Sequence, residues 1–334
     1  DGKGLNDHWA KPGHALLVGT VLHLLYKAKH ERFTPTLLGV SEVLSDPRRS
    51  IQDVLMEMLE YPHLSGDVTH PVVAASARDM LNKAENERSG VLSTAMSFLT
   101  LYRDPVVANH TAVSDFKIRD LMNREKPLSL YLVVRPSDKD RLKPLLRLII
   151  NQIVRILVEK MEFQGGEAVR HYNHRLLLLI DEFPSLGRLE VFQEALGFIA
   201  AYGLKAYLIV QDMTQLYSAY GRNESIVSNC HIRVAFAPNT VETAELLSKM
   251  TGSTTVVKKS VSISGKRFGS ILNHVSETLQ EVQRPLLTPD ECMRLPGAKK
   301  DGNGRILEPG QMLVFPVGFP PIYGTQLLYF KDPQ

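Results

Sequence analysis

An all-helical domain followed by an α/β domain built on a parallel sheet is the fold class this sequence predicts, and three observations predict it. From about Asp7 to Asp104 the apolar residues recur at helical spacing, with few β-branched runs. Beyond that point short aliphatic runs alternate with longer amphipathic segments, the pattern of repeated βα units. The most pronounced run, Leu176–Ile180, passes straight into Asp181-Glu182-Phe183-Pro184. Such a run reads as a strand buried on both faces, with two carboxylates presented at the carboxyl edge of the sheet.

The helical elements follow in order. Asp7-His8-Trp9 opens a helix carrying Leu16, Leu17, Val21, Leu22, Leu24 and Leu25. Thr34-Pro35-Thr36 supplies a cap and an early proline for a helix over Leu37–Leu44. Ser50–Leu59, Val72–Ala84 and Ser89–Tyr102 complete the domain, separated by Asp46-Pro47 and Tyr61-Pro62 and ended by Asp104-Pro105, all turn signals. A strand is then expected over Leu128–Val134, closed by Arg135-Pro136, and a long helix over Asp140–Met161 that packs on a sheet. After Leu176–Ile180 come a helix (Arg188–Tyr202) and a strand (Ala206–Val210) ending in Gln211-Asp212. Helix Met213–Tyr220, strand Ile232–Ala237 and helix Val241–Met250 follow. Ser253–Gln283 is polar and reads as a hairpin, and Met312–Pro316 and Ile322–Tyr329 as closing strands.

Composition bounds the class. With 334 residues, 44% hydrophobic and 22% charged, the chain is globular and long enough for about two domains. A net charge of +3 is too small to argue for nucleic acid by itself, although it accommodates a local basic surface. Cys230 and Cys292 are the only cysteines, so no disulfide framework exists and a reducing compartment is expected. The longest apolar stretch, roughly Ala15–Tyr26, is interrupted by His23 and is too short to span a bilayer, and no signal peptide opens the chain, which is expected to be soluble and cytoplasmic.

Open α/β sheets bind ligands at the carboxyl edge. In nucleotide triphosphatases the first acid after such a strand holds magnesium, and a neighbouring acid orients or deprotonates the attacking water. Asp181 and Glu182 fit those roles; a solvated turn before a helix is the plainer reading of the same residues. His171 and His174 lack a third metal ligand nearby and read as a surface turn. Asp115 and Asp120 read as structural caps. The basic set Lys258, Lys259, Lys266 and Arg267 reads either as a solvated hairpin or as a sequence-blind contact to phosphate backbones.

Several segments together resemble the TraG/TraD-type coupling proteins of type IV secretion and conjugation, membrane-anchored motor ATPases related to FtsK and HerA. These are Asp7-His8-Trp9, Ser93-Thr94-Ala95, Leu101-Tyr102-Arg103-Asp104-Pro105, Ser114-Asp115-Phe116, Leu130-Tyr131-Leu132 and Leu179-Ile180-Asp181-Glu182-Phe183. Gln211-Asp212 with Gln215-Leu216, Ser228-Asn229-Cys230 and Arg284 to Glu291 complete the set. The resemblance implies a RecA-like parallel-sheet motor, C-terminal part, over 109–334, preceded by an inserted all-α substrate-recognition domain over 1–108. It implies ATP and Mg as cofactors, with Asp181 and Glu182 as the Walker B pair and Gln211 as sensor of the terminal phosphate. It further implies relaxase and relaxosome proteins, DNA and the secretion channel as partners, a hexameric ring, and a place on the cytoplasmic face of the bacterial inner membrane. One departure stands out. No G-x-x-x-x-G-K-[ST] occurs; Ser264-Gly265-Lys266-Arg267 has the Gly-Lys alone. In the family that loop precedes the helical insertion, so the chain is expected to be a fragment without the loop or the membrane anchor, inactive by itself. The family's trans-acting arginine has no clear match: the helix before Ala206 carries Arg188 only at its start and Lys205 at its end, and Arg222 and Arg233 are the alternatives. Two other readings stand beside the motor: a non-catalytic module binding relaxase, adaptor or effector, and an ATPase exporting protein effectors.

Overall fold

The computed structural model describes residues 8–165, 167–264 and 274–331. They form two compact units, Asp1–Leu176 and Leu177–Gln334.

The first unit is helical: α1 (Ala10–Glu31), α2 (Leu37–Leu44), α3 (Ile51–Glu60), α4 (Pro71–Asn82), α5 (Glu85–Leu99), α6 (Pro105–Thr111), α7 (Asp120–Asn123) and α8 (Lys139–Leu157). Local chemistry sets the starts. The Thr36 hydroxyl accepts the Gly39 N–H, Ser50 and Asp53 form a reciprocal capping box, and Pro71 and Pro105 occupy first turns where a missing N–H costs nothing. The core joins Leu16 and Leu24 of α1 to Val40, Leu55, Met58 and Val73, with Val91 and Ala95 of α5. Close approach of α1 to α4 depends on Gly19: a Cβ there would sit 2.4 Å from Ser76 Oγ, whose hydroxyl donates to the Ala15 carbonyl. Asp104 caps α6 and pairs with Arg141 at 2.6 Å, and Leu142 and Leu145 rest on the helical core. The first half of α8 thus packs on helices, where sequence periodicity predicted a sheet. A short hairpin, β1 (Phe163–Gln164) with β2 (Glu167–Ala168), follows.

Leu128–Val134 differs from expectation. The segment forms no strand and pairs with none among the described residues, and Tyr131 and Val133 are 82% and 86% exposed. Strand propensity alone cannot hold a ladder whose backbone partners are missing.

The second unit holds β3 (Leu176–Ile180), α9 (Glu190–Ala195), β4 (Leu204–Leu208), α10 (Met213–Tyr220), α11 (Ile226–Asn229), β5 (Ile232–Ala235) and α12 (Val241–Thr251). β6 (Ser253–Ser264), β7 (His274–Pro285), α13 (Pro289–Met293), β8 (Lys299–Lys300), β9 (Ile306–Glu308), β10 (Gln311–Pro316) and β11 (Ile322–Thr325) complete it. β3 pairs with β4. At their far ends the Ile209 N–H donates to the Ile180 carbonyl (3.1 Å) and the Phe183 N–H to the Ile209 carbonyl (2.9 Å), so the two strands run parallel and finish together. β10 lies between β5 and β11, antiparallel to both, and packs Leu313 and Phe315 on Ala244 and Leu247 of α12 and Cys292 of α13. β6 and β7 form a twelve-residue antiparallel ribbon.

Two expectations are corrected here. The helix predicted over Arg188–Tyr202 is short α9 followed by a 3-10 turn over Ile199–Tyr202, the break falling at Gly197, a poor helix former. β3 is covered on one face only: Leu177 and Leu179 are 56% and 60% exposed while their neighbours are partly buried, the period-two alternation of a strand.

Candidate functional site

Asp181 and Glu182 leave β3 at its carboxyl end, and their geometry is set by what lies beneath. Phe183 is fully buried against Phe192 and Tyr220, with ring centroids 5.5 and 5.4 Å away. Tyr220 also accepts the Leu189 N–H on its hydroxyl. Turning from the strand down to Phe183 puts Glu182 in the left-handed region, at φ 50° and ψ 50°. A non-glycine residue there costs roughly 1–3 kcal/mol and persists only where the surroundings fix it. Phe183 and the Ser185 N–H to Glu182 carbonyl bond (2.9 Å) do the fixing.

Gln211 follows β4 and stands beside these acids. Its side-chain amide donates to Glu182 Oε1 at 2.5 Å. Asp181 is exposed and makes no hydrogen bond or ion pair among the described residues. The structure therefore brings an amide and two carboxylates to one end of a parallel strand pair.

A layer behind Gln211 lies outside what sequence reading found. Asp212 accepts the Thr214 N–H (2.8 Å), the Thr240 hydroxyl (2.7 Å) and the Thr243 hydroxyl (3.3 Å). Burial pushes the Asp212 carboxyl up, but these hydrogen bonds outweigh it and hold the group below the usual carboxylate range. Thr240 is the N-cap residue of helix α12. Its partner stands 28 residues earlier, and no local pattern discloses that.

The remaining candidates are placed as follows. Arg188 lies 3.6 Å from Glu190, and Arg222 pairs with Glu242 at 2.7 Å over the Tyr217 ring. The Arg233 guanidinium donates to the Val227 and Cys230 carbonyls, fixing the turn before β5. Lys258 and Lys259 are exposed on the ribbon but point to opposite faces, and Lys259 pairs with Glu277 at 2.9 Å. Lys266 and Arg267 lie outside the described residues. His171 approaches Glu162 while His174 contacts the Arg124 and Glu125 carbonyls, and no cluster of three or more His, Cys, Asp or Glu side chains placed to hold a metal ion occurs among the described residues. Asp120 caps its own turn through the Lys117 N–H.

The family model for "Type IV secretory system Conjugative DNA transfer" matches residues 1–334. The chain belongs to this conjugative DNA-transfer family, the coupling proteins of type IV secretion. Within the family it is similar to the conjugal transfer protein TraG of Escherichia coli, at 55% identity over 336 residues, covering 100% of this chain and 53% of TraG. Protein VirD4 of Agrobacterium fabrum (strain C58 / ATCC 33970) is 28% identical over 309 residues, 90% of this chain and 41% of VirD4. The chain thus spans about half the length of these relatives. Among solved structures, the bacterial conjugative coupling protein TrwBdeltaN70 in its unbound form superposes with a TM-score of 0.65 at 20% identity, over 99% of this chain and 67% of that one. That likeness carries the fold alone: a RecA-like α/β domain with an all-helical domain. No helix among the described residues of this coupling protein is long and apolar enough to cross a membrane.

Proposed function

We propose that this chain carries the catalytic carboxylates and the phosphate sensor of a coupling ATPase that recruits a relaxase–DNA substrate and drives it into the type IV secretion channel. The observation that carries the reading is the 2.5 Å hydrogen bond from Gln211 to Glu182 at the shared carboxyl end of two parallel strands, with Asp181 exposed beside it. Plasmid coupling protein TrwB has been solved with ADP and Mg2+, and this chain shares its fold with a TM-score of 0.62.

The residues present fit half of a nucleotide site. Asp181 offers an unengaged carboxylate, the hard oxygen ligand that Mg2+ takes. The phosphate cradle is not among these residues, because no G-x-x-x-x-G-K-[ST] occurs, and it comes from elsewhere in the intact protein. Bound at this edge, Mg2+ would neutralise charge on the phosphate oxygens. Glu182 orients and deprotonates the attacking water. Gln211, whose amide rests on Glu182, turns its donor toward the terminal phosphate when nucleotide is bound.

The helical region 1–108 selects cargo and 109–334 belongs to the motor, which works as a hexameric ring on the cytoplasmic face of the inner membrane. An open groove of about 650 Å³ lies beside α2 in this region, lined by Leu24, Phe33, Val43, Arg48 and Arg49. Lys258, Lys259, Lys266 and Arg267 serve as sequence-independent DNA contacts. In the intact protein, Glu182→Gln is expected to lower Mg-dependent ATP turnover on the order of 100-fold or more while nucleotide binding survives. Unchanged turnover in that variant overturns the assignment. The isolated chain is expected to hydrolyse ATP negligibly.

A further inference from the structure

We propose that Asp212 is a positioning residue that latches the Gln211 end of β4 to helix α12, so that movement at Gln211 is delivered along α12 to the root of the β6–β7 ribbon. The proposal deepens the motor reading and rests on it for the source of the movement; the coupling itself is a property of this chain.

Three contacts build the latch. Asp212 follows Gln211 directly and caps α10 through the Thr214 N–H. Its two carboxylate oxygens also take the hydroxyls of Thr240 and Thr243 from the start of α12. Thr240 is the N-cap residue of α12, yet its side chain makes no capping bond to its own helix. A threonine at that position ordinarily accepts a helix N–H. Here its hydroxyl is directed at Asp212 instead, so one carboxylate ties together the beginnings of two helices.

From the latch, α12 runs as a strut of eleven residues, about 16 Å at 1.5 Å per residue. Ala244 and Leu247 bury it against Cys292, Leu295, Leu313 and Phe315, so it moves as a body with that core. Its far end holds the ribbon root. The Ser248 hydroxyl donates to the Leu287 carbonyl (2.6 Å), and the Leu287 N–H donates to Thr251 Oγ1 (3.4 Å). Gly252, at φ +84°, turns the chain directly into β6, and its carbonyl accepts the Leu286 N–H (2.9 Å). The ribbon begins at the Ser253–Pro285 pair and extends to Ser264–His274. Latch and root therefore sit at opposite ends of one helix whose inner face is buried, and the ribbon carries Lys258 and Lys259.

Amide hydrogen exchange on this chain tests the coupling without nucleotide. The double variant Thr240→Val with Thr243→Val keeps the β-branched shape and removes both hydroxyls. Exchange is expected to accelerate at least about tenfold both at Gln211–Thr214 and at the ribbon root, Ser253–Thr255 and Arg284–Leu287. Thr240→Ser with Thr243→Ser is expected to restore wild-type rates, which a packing role for the methyl groups would not. Acceleration confined to the first turn of α12, or serine variants as fast as the valine ones, overturns the proposal. If the double valine variant does not fold, Thr240→Val alone gives the same two readouts. Failure of the motor reading shows separately, as ATP turnover indifferent to Glu182→Gln.

Discussion

Glu182 occupies a left-handed backbone position that a side chain enters only at a cost, and that cost is measurable apart from any chemistry. Glu182→Gly and Glu182→Ala both remove the carboxylate and its bond to Gln211, so their difference isolates the backbone. Glu182→Gly is expected to be the more stable by about 1 kcal/mol in chemical denaturation; the reverse order contradicts the strained turn. A second residue-scale expectation concerns His23 and His63, which are 2% and 1% exposed and in contact at 2.9 Å. His63 Nδ1 accepts the His70 N–H, which assigns the proton of the 2.9 Å contact to His63 Nε2 and leaves His23 Nε2 facing Glu57 at 3.6 Å. Burial lowers the His23 pKa to about 4; Glu57 opposes the shift, while His63 and Lys27 add to it. Burial also lowers His63, helped by His70 and His30 and opposed by the Tyr61 carbonyl. Lys27 pairs with the same Glu57 Oε1 that His23 faces while Arg49 holds Oε2, and Tyr61 packs edge-on against both imidazoles. Because the unfolded chain binds these protons more readily, stability is complete above about pH 6.5 and falls as pH drops toward 4, by about 3 kcal/mol for His23. Urea unfolding between pH 7 and pH 4 should show this slope, and His23→Gln should flatten it; parallel slopes would count against the buried pair.

At the scale of elements, much was legible and the failures share one cause. The helix Ile51–Glu60 was readable because Ile51, Val54, Leu55, Met58 and Leu59 recur at helical spacing. The end of β3 was readable because aliphatic residues change abruptly to acids. The strand expected over Leu128–Val134 and the two-sided burial of β3 were not, since both depend on neighbours that no local pattern encodes. The Asp212–Thr240 contact belongs to the same class. The α1–α4 crossing gives a sharp expectation: Gly19→Ala places a methyl 2.4 Å from Ser76 Oγ and should cost about 1–3 kcal/mol in thermal or urea unfolding. Adding Ser76→Gly should recover much of that loss, and a neutral Gly19→Ala would deny the close approach. On the ribbon, Lys258 and Lys259 face opposite ways and Lys259 is already paired. In the intact protein Lys258→Ala is expected to reduce the slope of log affinity for DNA against log salt by about 1, with Lys259→Ala doing less. Equal slopes for the two variants would place both lysines off the DNA path.

For the molecule as a whole, family membership follows from a match along all 334 residues, and the fold from the likeness to TrwB. What the sequence alone conveyed was the order of motifs and the absence of a phosphate-binding loop; it could not show that Gln211 would rest against Glu182. Whether nucleotide is read at the joint end of β3 and β4 decides the function of this chain. A crystal structure of the intact protein with ADP and Mg2+ tests this most directly. The metal is expected beside Asp181, with the Gln211 amide released from Glu182 toward the phosphates. Nucleotide bound elsewhere, with the Gln211–Glu182 contact undisturbed and Asp181 bare, would contradict it.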